Sequence, residues 1–381
     1  MKFSVIGAGG VGQVIINHLA RRQDAKVRVG DIDRLRLREV AKTTAGEVPI
    51  SRLDAGNPDQ VGRFIRGSDM VINSSHPRFN MLIMNQAFKR RAHYIDLAGY
   101  PEVQMKQDSK WKRARLVAIL GMGEDPGLSN VLARRGVDLL DRVDEIRIRD
   151  GETSTSEAYP FVALFAPDVF LEEAVAPARY FEGGKMKTKP PMSGREIYRF
   201  PPPIGDVPVY NMDHEEVHTL PQYLPKKPDF VDFKLALTDE TASSIRLLQG
   251  LGLLNRRPLQ VGTVKVSPLS LLLRLLPPPS QIAGKIRGNA GILVEIAGEV
   301  SGERLLYRLY VMMSHDEAYE KYRSNATSYL TGTPTAVCAI MLAEGRVENR
   351  GVIVPECLNA ERFIEEARKF GIQVQIEKTR L

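Results

Sequence analysis

Four glycines near the amino terminus have the spacing of a phosphate-binding turn. The segment Gly7-Ala8-Gly9-Gly10-Val11-Gly12 follows the apolar run KFSVI and opens the helix-like segment GQVIINHLA. In such a strand–turn–helix, Gly7 permits the tight turn, Gly9 lets the backbone approach a pyrophosphate, and Gly12 allows close helix packing. The first turn of the helix adds unpaired N–H groups that attract anions. We therefore predict a dinucleotide-binding loop formed by Gly7, Gly9, Gly10, Val11 and Gly12.

An acidic residue follows at the distance that such a site requires. Asp31 ends the second predicted strand, KVRVGD, about 20 positions after the glycines, and Ile32 lies beside it. The Asp31 carboxylate would accept hydrogen bonds from the adenosine ribose hydroxyls and repel a 2′-phosphate, which favours NAD. Arg34 and Arg36 could bind that phosphate instead, so the sequence leaves NADP open.

Two more strand ends are predicted to line the cofactor pocket, because cofactors lie outside the carboxyl ends of parallel strands. The third strand ends in Asp54 and Ala55, which we expect to contact the adenine. The fourth strand ends in a polar segment that contains Asn73, Ser74, His76 and Pro77. We expect His76 to shape the pocket rather than to move protons.

The elements that position these residues alternate along the first 125 residues. Six apolar runs are predicted strands: KFSVIG, KVRVGD, EVPISRLDA, MVINSS, HYIDLA and LVAILGMG. The segments between them are predicted amphipathic helices, among them GQVIINHLARR, RLRLREVAKTT, PDQVGRFIRG and NMLIMNQAFKRR. This alternation predicts an α/β fold with a doubly wound parallel sheet, the Rossmann arrangement.

The pattern changes after the segment GMGEDPGLSN. DEIRIRDG, DFVDFKLAL and VGTVKV are strand-like, and residues 291–314 form two alternating runs around a Ser-Gly turn. Such a pair of runs predicts an antiparallel hairpin. Residues 333–347 have a helical period, and GVIVPE and the helix-like NAERFIEEARKFG follow. We therefore expect a second domain with a mixed α+β architecture.

Several segments resemble the saccharopine dehydrogenase and lysine 6-dehydrogenase family. They are GAGGVG, LDAGNPDQV, DMVINSSHP, AHYIDLAGY, GEDPGLSN and ATSYLTGTPTAVCAIMLAEGRVENRGVIVPE, whereas residues 152–314 match loosely, mainly in a strand-like HTLPQYLP. The resemblance implies a Rossmann domain made of residues 1–125 and about 333–381, completed by C-terminal helices. Residues 126–332 would form an inserted substrate-binding and dimerisation domain. The resemblance also gives the segment 331–334 (TGTP) the role of a tight turn beside the nicotinamide.

The family resemblance implies hydride transfer between an amine or amino-acid carbon and the nicotinamide, through an imine. Lysine 6-dehydrogenase is preferred over saccharopine reductase, because saccharopine carries three carboxylates and would need several converging arginines. The acidic segment HEEVH also favours a cationic substrate. A carboxynorspermidine-forming reductase is a near relative of the same class. A non-catalytic NAD(P)-binding regulatory protein stays open, as does a lipid or polyketide reductase with residues 267–279 as an apolar lid.

Oxidation of a C–N bond also needs a group that accepts the ammonium proton. His218 in EEVHTLPQY is the preferred acid–base residue, because imidazole titrates near neutrality. Asp96 ends the fifth strand, and Asp125 in GEDPGLSN lies in a segment that the resemblance places near the substrate, with Glu124 as its weaker competitor. Each aspartate also fits a structural role as a turn or helix cap.

A substrate carboxylate would need a cation, and the second domain offers Arg246, Arg287 and Arg323 without a basis for ranking them. His18 and His93 are predicted to be structural. No Cys, His and acidic residues show metal-ligand spacing and no G-x-S-x-G segment occurs, so we predict no metal and no serine hydrolysis.

Composition limits the remaining classes of partner. The formal net charge is +7, but the basic residues are dispersed, which disfavours nucleic acid and suits anionic small molecules. Two cysteines and the absence of a signal-peptide pattern favour a cytoplasmic location, and no apolar run is long enough to span a membrane, so we predict no membrane partner. An exposed hairpin edge at 291–314 and the apolar segment 267–279 predict a homodimer or larger homo-oligomer.

Overall fold

The computed structural model describes residues 1–159, 161–277 and 279–381, so Pro278 of the apolar segment 267–279 lies outside the described residues. These residues divide into two compact units. The first unit comprises Met1–Leu139, Gln222–Pro225 and Ser328–Val374. The second comprises the described residues of Leu140–Pro221 and Lys226–Thr327 together with Gln375–Leu381.

The helices and strands follow one another in chain order. Up to residue 139 they are β1 (Lys2–Ile6), α1 (Gly10–Ala20), β2 (Lys26–Asp31), α2 (Arg34–Thr43), β3 (Ile50–Arg52), α3 (Pro58–Phe64), β4 (Met70–Asn73), α4 (Asn80–Lys89), β5 (His93–Asp96), α5 (Glu102–Met105), α6 (Asp108–Arg113), β6 (Val117–Ile119) and α7 (Leu128–Asp138). Next come β7 (Arg142–Glu152), α8 (Pro167–Val175), β8 (Ala178–Glu182), β9 (Lys185–Lys189), β10 (Glu196–Arg199), β11 (Asp206–Asn211), α9 (Glu216–Tyr223), β12 (Phe230–Ala236), α10 (Asp239–Gly250), β13 (Leu259–Val261), β14 (Val264–Val266), α11 (Pro268–Leu275), α12 (Pro279–Ile282), β15 (Asn289–Val300), β16 (Glu303–Ser314) and α13 (His315–Tyr322). The last are α14 (Ala326–Ala343), β17 (Gly351–Ile353), α15 (Ala360–Arg368) and β18 (Gln375–Arg380), and short 3-10 helices span Pro77–Phe79 and Pro355–Cys357.

The first unit contains the parallel sheet that the sequence predicts. Its strand order is β17-β6-β5-β4-β1-β2-β3, and every neighbouring pair is parallel. The order of the first six strands along the chain is that of a dinucleotide-binding Rossmann fold. Val5, Ile72 and Ile95 are completely buried, as expected for strands that are covered on both faces. The predicted fold class is therefore confirmed, and β17 extends the sheet beyond the six predicted strands.

Helix α14 overturns one local expectation. The segment 331–334, expected as a tight turn, lies inside α14 and is helical. A Cβ on Gly332 would lie 2.9 Å from the Val11 carbonyl oxygen, so this glycine allows α14 to pack closely against α1. His18 Nε2 lies 3.0 Å from Thr333 Oγ1, and burial, with Arg21 nearby, lowers the pKa of His18 to about 4. His18 therefore has the structural role that the sequence predicts.

The second unit contains a mixed sheet. Its main strand order is β10-β11-β12-β7-β15-β16-β18, and β8 and β9 branch from β12. Strands β12 and β7 are parallel, whereas β15 and β16 form the predicted antiparallel hairpin, from Asn289 opposite Ser314 to Val300 opposite Glu303. The expectation of an exposed hairpin edge is wrong: β15 pairs with β7, and β18 covers β16 over residues 305–310. The hairpin therefore gives no support to the predicted homodimer.

One strand expectation is confirmed in part and one is wrong. VGTVKV is extended at both ends, but the chain reverses at Gly262 (φ +58°) and pairs β13 with β14 in a hairpin separate from the mixed sheet. HTLPQYLP was expected as strand-like, but helix α9 covers its first six residues. The buried residues Val217, Leu220 and Leu224 recur at helical spacing rather than in alternation.

The first unit differs from the expected Rossmann domain: it continues past residue 125 to Leu139, and it excludes the last seven residues. Helix α7 contacts α15 and the 3-10 helix Pro355–Cys357, and the Asn130 amide donates to Glu356 Oε2 at 3.0 Å. These contacts keep the chain up to Leu139 in the first unit. Strand β18 pairs with β16, which places the last residues in the second unit rather than the first. Across the described residues, no helix has the length and apolar character needed to cross a membrane.

Candidate functional site

The glycine loop between β1 and α1 has room at one position only. Gly7 has φ +107°, and a Cβ there would lie 2.6 Å from the Ser74 backbone. A Cβ on Gly12 would lie 2.3 Å from the Gly7 carbonyl oxygen. At Gly9, which caps the amino end of α1, a Cβ would meet only Arg36 Nη1, at 3.9 Å. The open space over Gly9, beside unpaired N–H groups, fits a pyrophosphate.

Gly10 and Val11 contact α14 instead of open space. A Cβ on Gly10 would lie 2.8 Å from Ser328 Oγ, and the Val11 carbonyl faces Gly332. These two residues therefore fix the loop against its neighbouring helix. Their direct contact with a dinucleotide stays a prediction.

Asp31 supports the glycine loop, and its contact with a ribose stays a prediction. Its Oδ2 accepts the Ala8 N–H at 2.7 Å and its Oδ1 accepts the Asp33 N–H at 2.8 Å. Arg36 Nη1 lies 3.9 Å from Asp31 Oδ2, so a carboxylate and a guanidinium flank the same place. Ile32 beside them is exposed, as a side chain that packs on an adenine must be. The geometry leaves both NAD and NADP open.

The other predicted cofactor residues shape the carboxyl edge of the sheet. Ser74 Oγ donates to the Gly7 carbonyl at 2.8 Å, and the buried Asn73 amide donates to Asn80 Oδ1 at 2.8 Å. His76 Nδ1 accepts the Arg78 N–H at 3.1 Å and caps the 3-10 helix that begins at Pro77. At the end of β3, Asp54 Oδ1 accepts the Gly56 N–H at 2.9 Å, and Ala55 beside it is buried.

The two predicted catalytic aspartates belong to the first unit but differ in environment. Asp96 is buried, and its carboxylate accepts the Gly121 N–H and the Gln104 amide, each at 2.8 Å. The first bond ties the end of β5 to the segment after β6, and the second ties it to α5. Asp125 is partly exposed, and it is not the cap of α7, because Gly127 occupies that position. The capping role considered for Asp125 is therefore wrong.

His218 belongs to the second unit and lies in α9. Its backbone N–H donates to the Glu215 carbonyl at 2.9 Å, and its side chain is partly exposed. Of the other histidines, His315 is buried and its Nδ1 accepts the Ala326 N–H at 3.1 Å. His93 Nδ1 accepts the Val117 N–H at 3.0 Å, which agrees with a structural role.

A cluster of His and Glu side chains near the start of α9 was not predicted. Ligand atoms of Glu173, His214 and Glu215 all lie within 4.8 Å of one another. His214 Nδ1 lies 2.5 Å from Glu216 Oε2, and its ring stacks on Phe233 with centroids 4.0 Å apart. We call Glu173, Asp213, His214, Glu215 and Glu216 the anionic cluster.

Burial and neighbouring charges both act on the Glu173 carboxyl. Burial raises the pKa of the Glu173 carboxyl to about 8; His214 opposes this shift, and the carboxylates of Glu215, Asp213 and Glu216 add to it. Arg179 Nε and Nη2 donate to Asp213 at 2.7 and 2.5 Å. The neighbouring carboxylates, rather than the burial, would attract a cation that enters the cluster. The donor set also suits a metal ion, and the prediction of no metal stays untested.

The three arginines proposed for a substrate carboxylate have other contacts. Arg287 pairs with Asp316, and Arg246 donates to the Met192 carbonyl at 3.0 Å. The Arg323 guanidinium lies 5.2 Å from the centroid of the Tyr319 ring. The identity of a carboxylate-binding residue stays open.

Two family models match the chain along most of its length. The saccharopine dehydrogenase NADP binding domain matches residues 3–119, and the saccharopine dehydrogenase C-terminal domain matches residues 123–372. The chain belongs to the saccharopine dehydrogenase family. It is accordingly an NAD(P)-dependent oxidoreductase that acts on CH–NH groups.

Two relatives match this chain over nearly its whole length. Carboxynorspermidine synthase of Vibrio alginolyticus is 28% identical over 402 residues, covering 98% of this chain and 96% of the relative. Carboxyaminopropylagmatine dehydrogenase of Synechocystis sp. is 27% identical over 390 residues, covering 97% of this chain and 96% of the relative. Among solved structures, apo saccharopine dehydrogenase (L-Glu forming) from Saccharomyces cerevisiae has a TM-score of 0.75 at 14% identity, covers 99% of each chain, and so shows a shared fold.

Proposed function

We propose that the protein reduces an imine to the secondary amine of a carboxylated polyamine, or oxidises that amine, with NAD(P)(H). The anionic cluster of the second unit carries the proposal, because its grouped carboxyl side chains suit a substrate with cationic amine or guanidine groups. The names of the two relatives also describe carboxylated polyamines. Lysine, which the sequence favoured, carries fewer cationic groups and remains the second candidate.

The chemistry divides between the two units. In the first, the glycine loop and Asp31 bind and orient the dinucleotide, and the ends of β3 and β4 line its site. The dinucleotide, when bound, exchanges a hydride with the carbon of the C–N bond. In the second, the anionic cluster holds a cationic end of the substrate. His218 exchanges the proton of the reacting nitrogen, with Asp125 as the competing group and Asp96 as a positioning residue.

A substrate panel tests this proposal. A carboxylated polyamine divides at its secondary nitrogen into a diamine and an aldehyde that bears the carboxylate. We expect NADPH or NADH oxidation when a diamine and an amino-acid semialdehyde are supplied together, and at least about tenfold lower kcat/KM for lysine oxidation. Loss of absorbance at the nicotinamide band measures both. Faster turnover of lysine would contradict the polyamine assignment, and tight NAD(P)H binding without turnover of any amine would favour a regulatory protein.

Glu173→Gln tests the anionic cluster through its pH dependence. Because the pKa of Glu173 is raised to about 8, its carboxyl is neutral below that pH and becomes anionic above it. A cationic substrate prefers the anion, so KM for the diamine should fall as pH rises from about 6.5 to 8.5, by up to about tenfold per pH unit. In Glu173→Gln this dependence should shrink to the part that comes from deprotonation of the reacting amine, while kcat changes less.

The adjacent residue provides a matched control. Glu172 is half exposed and pairs with Arg256, so Glu172→Gln makes the same change of charge outside the cluster. That variant should keep the pH dependence of KM. An unchanged KM profile in Glu173→Gln, measured beside this control, would remove the cluster from substrate binding.

A further inference from the structure

One long stretch of the second unit contains basic residues but no acidic ones. Between Thr241 and Val294 the sequence has no Asp or Glu, although the whole chain has 46 of them. The same stretch carries seven basic residues: Arg246, Arg256, Arg257, Lys265, Arg274, Lys285 and Arg287. The stretch therefore contributes only positive charge to the surface it forms, although acids from other segments pair with part of it.

Within this stretch, three successive elements expose apolar side chains. Seven large apolar residues between positions 247 and 275 are from 52% to 74% exposed: Leu247, Leu251, Leu259, Val261, Val264, Leu271 and Leu275. We call these residues the 247–275 surface. They begin at the end of α10, continue through the β13–β14 hairpin and end on α11. Isolated exposed leucines are ordinary, but α10 and α11 both pack against α8, so this concentration of apolar residues indicates an interaction surface.

The register of the hairpin places its apolar residues on a single face. Leu259 lies opposite Val266, and Val261 lies opposite Val264, so these four side chains share one side of the two strands. Gln260 and Lys265 form the other pair and point to the opposite side. Among the described strands, β13 and β14 pair only with each other. The hairpin therefore presents a small apolar sheet face to the solvent.

Helix α11 continues the surface with a defined orientation. Leu269 is 2% exposed and faces the protein, and its backbone N–H donates to the Asn255 carbonyl at 3.2 Å. At 3.6 residues per turn, Leu271, Arg274 and Leu275 lie on the side of the helix away from Leu269. Leu271 and Leu275 accordingly are exposed, with a guanidinium between them.

Three cations of this region have no counter-ion in the part of the chain that the structure describes. Arg256 pairs with Glu172, and Arg287 pairs with Asp316. No ion pair involves Arg257, Lys265 or Arg274 within residues 1–159, 161–277 and 279–381. Lys265 lies on the other side of the hairpin from its apolar face, whereas Arg257 precedes the hairpin and Arg274 lies between the exposed leucines of α11.

We propose that the 247–275 surface docks on a lipid bilayer that carries anionic headgroups. Such an interface accepts both features at once, because it buries leucine and valine side chains at the boundary of the acyl chains and attracts lysine and arginine. A second copy of the chain fits less well. A twofold contact would place the same surface against itself, with like charges and no acidic side chain of this stretch to meet them.

This inference changes one expectation from the sequence. The absence of a membrane-spanning segment led to the prediction of no membrane partner, and no described helix does span a membrane. Docking at the surface requires no such helix, since it uses short amphipathic elements that lie in the plane of the interface.

Vesicle sedimentation of the full-length protein tests the proposal. We expect at least about tenfold tighter binding to phosphatidylcholine vesicles with about 30 mol% phosphatidylglycerol than to phosphatidylcholine alone. Raising the salt from about 0.1 M to about 1 M should largely abolish the difference, because it shortens the screening length. The absence of binding, or equal and salt-independent binding to both vesicles, would overturn the proposal.

Paired variants distinguish binding by the 247–275 surface from non-specific adsorption to vesicles. Leu271→Ser with Leu275→Ser, and Arg257→Glu with Arg274→Glu, should each abolish vesicle binding while NAD(P)H binding persists. The controls Ile197→Ser and Arg199→Glu alter exposed residues of β10 outside the surface and should bind vesicles normally. If the leucine pair instead converts a dimer to a monomer by light scattering without changing vesicle binding, the surface contacts a second copy and the membrane proposal is wrong.

Discussion

Gly9→Val should abolish dinucleotide binding and leave the protein folded. A Cβ at this position meets only the flexible end of Arg36, at 3.9 Å, and its backbone is extended (φ −69°, ψ −171°), which valine tolerates. The added methyl groups would occupy the space where a pyrophosphate must approach the N–H groups of α1. We expect the affinity for NAD(P)H to fall by at least about 10³-fold, measured by nicotinamide fluorescence, with a nearly unchanged melting temperature.

Gly12→Val provides the contrast. Its Cβ would lie 2.3 Å from the Gly7 carbonyl oxygen and 3.0 Å from Ser74 Oγ, so this variant should lose thermal stability as well as cofactor. A folded Gly9→Val protein that still binds NAD(P)H would contradict the assignment of the loop. Equal destabilisation of both variants would show that Gly9 has a packing role that its surroundings do not indicate.

The sequence predicted the first sheet well because its signals are local. Each glycine of the loop has a mechanical role in a strand–turn–helix, and Asp31 ends the next strand at a fixed distance. Local signals failed where tertiary packing decides. TGTP at 331–334 contains turn residues, yet Gly332 is there because α14 packs against α1. Likewise, the edge of the β15–β16 hairpin is covered by β18, which comes from residues 375–380.

The anionic cluster shows why much of a site escapes single-sequence analysis. His214, Glu215 and Glu216 are contiguous and are visible as the acidic HEEVH segment, but Glu173 comes from α8. No periodic pattern connects these elements, since β8, β9, β10 and β11 separate them along the chain. A weak signal does exist: Glu173 stands between the buried residues Leu171 and Ala174 in a short amphipathic helix. An acid that interrupts the apolar face of a helix is uncommon and indicates a specific role.

His218→Gln should lower turnover by about 10² to 10⁴ and remove a limb of the pH profile. If His218 accepts the substrate proton, its neutral form is needed for oxidation. The oxidation rate should therefore rise with pH through the imidazole pKa, ordinarily about 6.5, and the reductive direction should require the protonated form. Glutamine retains a polar side chain of similar reach on α9 but does not titrate in this range. Steady-state kinetics in both directions from about pH 5.5 to 9 measure the effect.

The outcome distinguishes a proton carrier from a structural residue. A merely structural His218 would change KM or stability and leave the pH limb in place, whereas a proton carrier changes kcat and its pH dependence together. NAD(P)H binding should survive in either case, because the glycine loop belongs to the other unit. His76→Gln serves as the matched control, since this histidine caps the 3-10 helix after β4 and should affect cofactor KM while the limb remains. An intact limb in His218→Gln, together with its loss in Asp125→Asn, would assign the proton transfer to Asp125.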